Sequence, residues 1–74
     1  MNDTIQETIT VTLNGEERQV PGGLTVSDLL AHLNLHDRSV VVERNREIIR
    51  RDEYAEVAID AGDTIELVHF VGGG

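Results

Sequence analysis

Cysteine, tryptophan and lysine are absent from this chain of 74 residues, and proline, methionine, tyrosine and phenylalanine occur once each. Without cysteine there is no disulfide, no thiolate metal site and no cysteine nucleophile. Without lysine, all six basic residues are arginines, and the side chains offer no amine for isopeptide links between copies. No apolar run approaches the roughly 20 residues of a membrane span. Met1–Gln6 lack the basic and apolar pattern of a signal peptide. A soluble, cytoplasmic protein is the expectation. The length supports one domain with a modest core, since a domain near this size buries only about 60% of its unfolded surface.

Acidic residues are plentiful, and the formal net charge is -8. Phosphates would repel such a chain, which argues against nucleic acid as a partner. The same charge favours solubility and partners with basic faces.

Residues 1–7 read as a flexible N-terminal extension, polar and without pattern. Ile9, Val11 and Leu13 then alternate with threonines, the period of a half-buried strand. Asn14-Gly15 is the preferred pair for a two-residue hairpin turn in which both positions need positive φ. A return strand over Glu16–Val20 places Leu13 opposite Glu16, Val11 opposite Arg18 and Ile9 opposite Val20, and Pro21-Gly22-Gly23 closes it. Thr25 is suited to cap a helix, with Asp28 completing a box-like pair and Leu24 and Leu29 forming a staple. Val26, Leu29, Leu30 and Leu33 make one apolar stripe, and Asn34 can take the left-handed conformation that stops the helix.

Ser39–Glu43 reads as a strand with burial on both faces, Arg44–Arg46 as a turn, and Ile48-Ile49 as a short strand. Tyr54 is expected to anchor a helical turn. Asp60–Asp63 is a turn, and Thr64–Val71 the last strand. One helix over one face of a mixed sheet of four to five strands is an α+β arrangement. In the last strand, Ile65 and Leu67 should face the core, and Glu66, Val68 and Phe70 the opposite side.

The last strand runs into Gly72-Gly73-Gly74. A tail without Cβ atoms is thin and flexible. It can enter a narrow active site where side chains would clash, reaching about 10 Å with three residues. This points to Gly74 as the reactive group and to Gly72 and Gly73 as its means of access, so that the chain is a substrate or carrier and not a catalyst. Val68, Phe70 and Val71 beside the tail are the expected docking residues.

Several motifs then carry a resemblance: Leu13-Asn14-Gly15, Thr25-Val26-Ser27-Asp28-Leu29-Leu30, Val42-Glu43-Arg44-Asn45 with Glu47-Ile48-Ile49, Asp60-Ala61-Gly62-Asp63, and the closing Ile65-Glu66-Leu67-Val68-His69-Phe70-Val71-Gly72-Gly73-Gly74. Each is weak alone; in this order and spacing the chain resembles the ubiquitin-like β-grasp family, and within it the ThiS sulfur carriers of bacterial thiamine biosynthesis. The resemblance covers Thr8–Gly74, with 8–71 as the β-grasp domain and 72–74 as the reactive tail. It implies that a ubiquitin-activating-like adenylyltransferase uses ATP to adenylate the Gly74 carboxylate. A sulfur donor such as a cysteine desulfurase, working through a persulfide, then yields a thiocarboxylate, and thiazole synthase takes the sulfur. It implies no bound cofactor.

Two related readings stay open. A carrier for molybdopterin synthesis has a similar end, but usually with prolines before the glycines, where this chain has His69-Phe70-Val71. A ubiquitin-type modifier would use the same tail, although ubiquitin's nearby arginine is replaced here by Phe70. Other signals are explained more simply. His32 and His36 are expected to serve the last-turn carbonyls or the dipole of the helix, since further metal ligands are missing. His69 is expected at the edge of the core. Asp60 and Asp63 answer a turn requirement, Ser27 has no triad pattern around it, and Gly22-Gly23 is too short for a phosphate loop.

Overall fold

The computed structural model describes residues 7–69. Strand β1 (Thr8–Leu13) and β2 (Glu16–Pro21) form an antiparallel hairpin, with Leu13 opposite Glu16, Val11 opposite Arg18 and Ile9 opposite Val20. Asn14 (φ 49°) and Gly15 (φ 85°) supply the two positive φ values of the turn. Only Val20 is buried on β2, so the hairpin's apolar face belongs mainly to β1. Pro21 is tolerated at the end of β2 because β2 is an edge strand.

Helix α1 (Val26–His32) starts as its sequence requires. The Asp28 amide donates to Thr25 Oγ1, and the Thr25 amide to Asp28 Oδ2, both at 3.1 Å. The next free amides find main-chain partners: Val26 N–H donates to the Val57 carbonyl at 2.9 Å and Ser27 N–H to that of Tyr54 at 2.8 Å. At the other end Asn34 (φ 64°) turns left-handed. Leu35 N–H then reaches the Leu30 carbonyl at 2.8 Å and Asn34 N–H that of Ala31 at 3.0 Å, the Schellman pair. Main-chain amides therefore fill the last-turn carbonyls for which His32 and His36 were candidates.

A short 3-10 turn over Asp37–Ser39 leads into β3 (Val40–Arg44). The 3-10 turn takes in Ser39, expected to open the strand, and β3 extends through Arg44, expected in the turn that follows. The Asn45-Arg46 turn, with φ of 52° and 73°, leads to β4 (Glu47–Ile49). A second 3-10 turn, Arg51–Glu53, brings in Tyr54, which is 2% exposed and donates its hydroxyl to the Val40 carbonyl at 2.9 Å. The last strand is β5 (Thr64–His69).

The five strands lie in the order β2-β1-β5-β3-β4. β1 and β5 run parallel, and β5 is antiparallel to β3. The chain's early and late strands thus meet in the middle of the sheet. Val26, Leu29 and Leu30 of α1 are fully buried in one cluster with Val11, Val40, Val42 and Ile65. Each such aliphatic side chain contributes about 1.5–3 kcal/mol by leaving water. α1 covers one face of the sheet and no other helix covers the opposite face among the described residues.

Candidate functional site

Strand β5 carries the chain towards the glycine tail, so its flanks define the site. Its pleat separates two environments. Ile65 is fully buried and Leu67 half-buried on the α1 side, while Glu66 and Val68 lie on the uncovered face. Val68, expected to dock a partner, is 57% exposed. Its direct cross-strand neighbour is Val41, which is half-buried. Ile48, 70% exposed on β4, stands opposite Glu43, diagonally from Val41 on the same face. Three aliphatic side chains thus share the open face where β5 ends.

A second feature of this face is electrostatic. Glu43 lies directly opposite Glu66. Like charges at directly opposed positions destabilise a sheet, so fold stability does not explain the pair. An apolar patch with a carboxylate rim fits a partner that offers an apolar centre and basic edges.

Val68 lies on the open face, as the period of β5 requires, while Val41, Ile48 and the opposed glutamates are not marked out by the sequence. Val40-Val41-Val42 conceals its parity, because a run of three valines does not say which faces out. Phe70, Val71, Gly72, Gly73 and Gly74 lie outside the described residues. His69, expected at the core edge, is exposed at the end of β5, beside Val40. It shares the pleat parity of Ile65 and Leu67 but sits beyond the cover of the core.

The start of β5 is fixed by a polar cluster. Asp63, 6% exposed, accepts from Arg44 Nε at 2.6 Å, Asn45 Nδ2 at 3.1 Å and the Asp60 amide at 2.9 Å. Burial pushes the Asp63 carboxyl up, but the Asp60 amide, the Arg44 guanidinium and the Asn45 carboxamide outweigh it and hold it below the usual range. Arg44 also reaches Asp60 at 3.1 Å. Asp60 and Asp63 therefore form a structural turn, as their spacing suggested.

Two asparagines grip β5 from the turns at either side. Asn45 Oδ1 accepts from the Thr64 amide at 2.9 Å, and Asn14 Oδ1 from the Leu67 amide at 2.8 Å. Each is the first positive-φ residue of its hairpin turn. The β1–β5 ladder pairs Thr12 with Thr64 and Leu13 with Ile65. The Asn14 amide still donates to the Ile65 carbonyl at 2.9 Å, and beyond it the Asn14 side chain continues the ladder where the main chain turns away.

Elsewhere, Ser27 Oγ donates to Asp37 Oδ2 at 2.8 Å and ties the first 3-10 turn to α1. The hollow beside it, lined by Ala31, Leu35, His36 and Arg38, is shallow and open. Among the described residues, no three His, Asp or Glu side chains cluster to hold a metal. No helix there is long and apolar enough to cross a membrane.

Comparison with known proteins adds to this geometry. The sequence model of the ThiS family matches residues 11–74. A sulfur carrier protein ThiS of Bacillus subtilis (strain 168) is 54% identical over 50 residues, covering 68% of this chain and 76% of that protein. A thiazole synthase of Paramagnetospirillum magneticum is 47% identical over 64 residues, which is 86% of this chain. The chain spans only 20% of that synthase. The crystal structure of a thiamine biosynthesis protein (ThiS) from Geobacter metallireducens superposes with a TM-score of 0.76 at 33% identity, covering 89% of this chain and 100% of the other.

Proposed function

The chain belongs to the ThiS family, and from that membership we propose that it is a sulfur carrier of thiamine biosynthesis, loaded on the carboxylate of Gly74. The observation that carries the reading is the family match, which runs from Val11 through the glycines to Gly74. The fold agrees: β5 lies at the centre of the sheet and leads directly towards the tail.

The chemistry follows from the weakness of a carboxylate as an electrophile. A Gly74 carboxylate oxygen attacks the α-phosphorus of ATP on an adenylating enzyme, and pyrophosphate leaves. The acyl adenylate now has a good leaving group. The terminal sulfur of a persulfide donor, of the kind a cysteine desulfurase makes, displaces AMP to give an acyl disulfide. A thiol then attacks the donor-side sulfur, so that the S–S bond breaks, the thiocarboxylate leaves and the donor and thiol end as a disulfide. Glycine leaves the carbonyl open to both reactions. The chain has no cysteine, so this acyl-bound sulfur is the form of cargo open to it. The chain holds no cofactor of its own in this scheme; ATP is consumed by the partner. It acts as a co-substrate and not as an enzyme.

Thiazole synthase is the proposed acceptor of the sulfur. Two proteins named thiazole synthase, from Paramagnetospirillum magneticum and Magnetococcus marinus, contain a stretch similar to 86% of this chain. Having such a stretch on the synthase's own polypeptide raises its effective concentration there. Val68, Phe70 and Val71, joined by Val41 and Ile48, form the proposed docking patch, with Glu43 and Glu66 meeting basic residues of the partner. Phe70→Ala should lower the efficiency of adenylation about tenfold, as loss of a buried aromatic anchor does; unchanged efficiency would remove Phe70 from the patch.

Intact-mass spectrometry tests the central claim. Incubation with the adenylating enzyme, ATP, a persulfide donor and a reducing thiol should add one oxygen-to-sulfur increment at Gly74. Copies with the final carboxyl amidated should gain none. Amidated copies that still deliver sulfur to thiazole formation would overturn the reading.

A further inference from the structure

We propose that Asn14 is a positioning residue for sulfur loading: its carboxamide fixes the amide of Leu67 and so sets the direction in which the chain leaves the sheet towards Gly74. This inference rests on the carrier reading above.

The register shows why such a device is needed. On its β3 side, β5 is paired as far as His69. On its β1 side the paired register ends at Leu13 opposite Ile65, and the last main-chain bond runs from the Asn14 amide to the Ile65 carbonyl at 2.9 Å, after which the chain turns away. The Leu67 amide points to that side and would meet solvent. Asn14 Oδ1 takes it at 2.8 Å across 53 residues of sequence. A strand bonded on both sides has a defined twist and resists fraying, whereas one bonded on a single side is an edge. Asn14 therefore extends two-sided support by one more amide towards the tail. Gly74 lies seven positions beyond Leu67, so the orientation of β5 at Leu67 sets the direction in which the segment that leads to the tail begins.

Asn14 suits two tasks at once. It tolerates the left-handed φ of 49° that the turn imposes. Glycine would tolerate it equally well, but only Asn or Asp adds an acceptor that reaches β5. The Leu67 contact is solvent-exposed, so losing it exchanges one hydrogen bond for another with water and leaves no buried polar group stranded. The turn favours Asn or Gly at this position; the support for β5 is met by Asn and not by Gly. Fixing the exit direction before docking reduces the ordering needed when the tail enters the enzyme. That is a contribution to KM and not to the chemical step.

The test uses the full chain and the adenylating enzyme, with kcat and KM for the carrier measured separately. Asn14→Gly should keep the hairpin, abolish the hydrogen-exchange protection of the Leu67 amide and raise KM about fivefold, the scale of one hydrogen bond, with kcat unchanged. Asn14→Asp keeps an acceptor and should restore KM. Asn45→Gly removes the corresponding bond at the far end of β5 and should lower stability while leaving KM alone. A KM unchanged by Asn14→Gly overturns the proposal. So does an equal rise in Asn45→Gly, which would reveal general loosening. If Asn14→Gly does not fold, the native chain decides: a Leu67 amide that exchanges freely while Ile65 is protected overturns the proposal, and a protected one together with Asn14→Asp rescue supports it. A native chain that never gains sulfur overturns the carrier reading itself, whereas sulfur gained with KM insensitive to Asn14 overturns this inference alone.

Discussion

Asp63 shows how much one side chain can organise in so small a domain. Asp63→Ala strands the Asp60 amide, the Asn45 carboxamide and part of the Arg44 charge. It should cost about 2–3 kcal/mol in urea unfolding, less than a fully buried pair because Arg44 is partly hydrated. The folded-state pKa of Asp63 is depressed from the ordinary 3.8. Its stabilisation is therefore fully present above pH 3.8 and is lost as pH falls through the lowered folded value. Urea midpoints measured from pH 7 down to pH 2 should fall in that acid window, and Asp63→Asn should flatten the fall. Arg46 presents the opposite case, since its φ of 73° is adverse for a residue with a Cβ. Arg46→Gly should stabilise the fold by about 1 kcal/mol, read as a higher urea midpoint. Glu66→Gln separates stability from recognition. It relieves the opposition to Glu43 and should stabilise by a few tenths of a kcal/mol, yet slow association with a basic partner in stopped-flow measurements.

At the scale of elements, the parts with a local cause could be read from the sequence. The β1–β2 register follows from Asn14-Gly15 and the alternation of Ile9, Val11 and Leu13, because a two-residue turn leaves no freedom of pairing. Helix α1 follows from Thr25, Asp28 and the leucine stripe for the same reason. Asn34→Gly should extend that logic by easing the left-handed stop, raising stability by about 0.5–1 kcal/mol in thermal unfolding. The parts with a distant cause could not be read. The outward face of Val41 depends on which edge of β3 meets β5. The reach of Asn14 to Leu67 and of Asn45 to Thr64 spans turns and strands far apart in sequence. Of the two roles expected for His32 and His36, the last-turn carbonyls are closed by the main chain itself, a competition that composition does not reveal, while His32 does stand in the last turn beside the helix dipole. The outward face of Val68 was thus legible, because the strand's period of two decides it, whereas the neighbours that the sheet brings to it were not; the glycine tail lies outside the described residues.

For the whole molecule, the net charge of -8 acts at a distance. Association with a partner of basic face should slow about tenfold as salt is raised from low to several hundred millimolar, because screening shortens the reach of the field. A rate indifferent to salt would mean that the charge serves solubility only. The parallel meeting of β1 and β5 has a mechanical consequence. Thr12 is level with Thr64 and both strands point the same way, so Thr8 and His69 lie at opposite ends of the sheet, about 30 Å apart at strand rise. A pull applied between these two points would shear the central ladder, loading its bonds together instead of peeling them one by one. A fluorescent tag or surface tether attached ahead of Thr8 would likewise stand well clear of the end that leads to the glycines, making that side the natural handle for immobilising the chain.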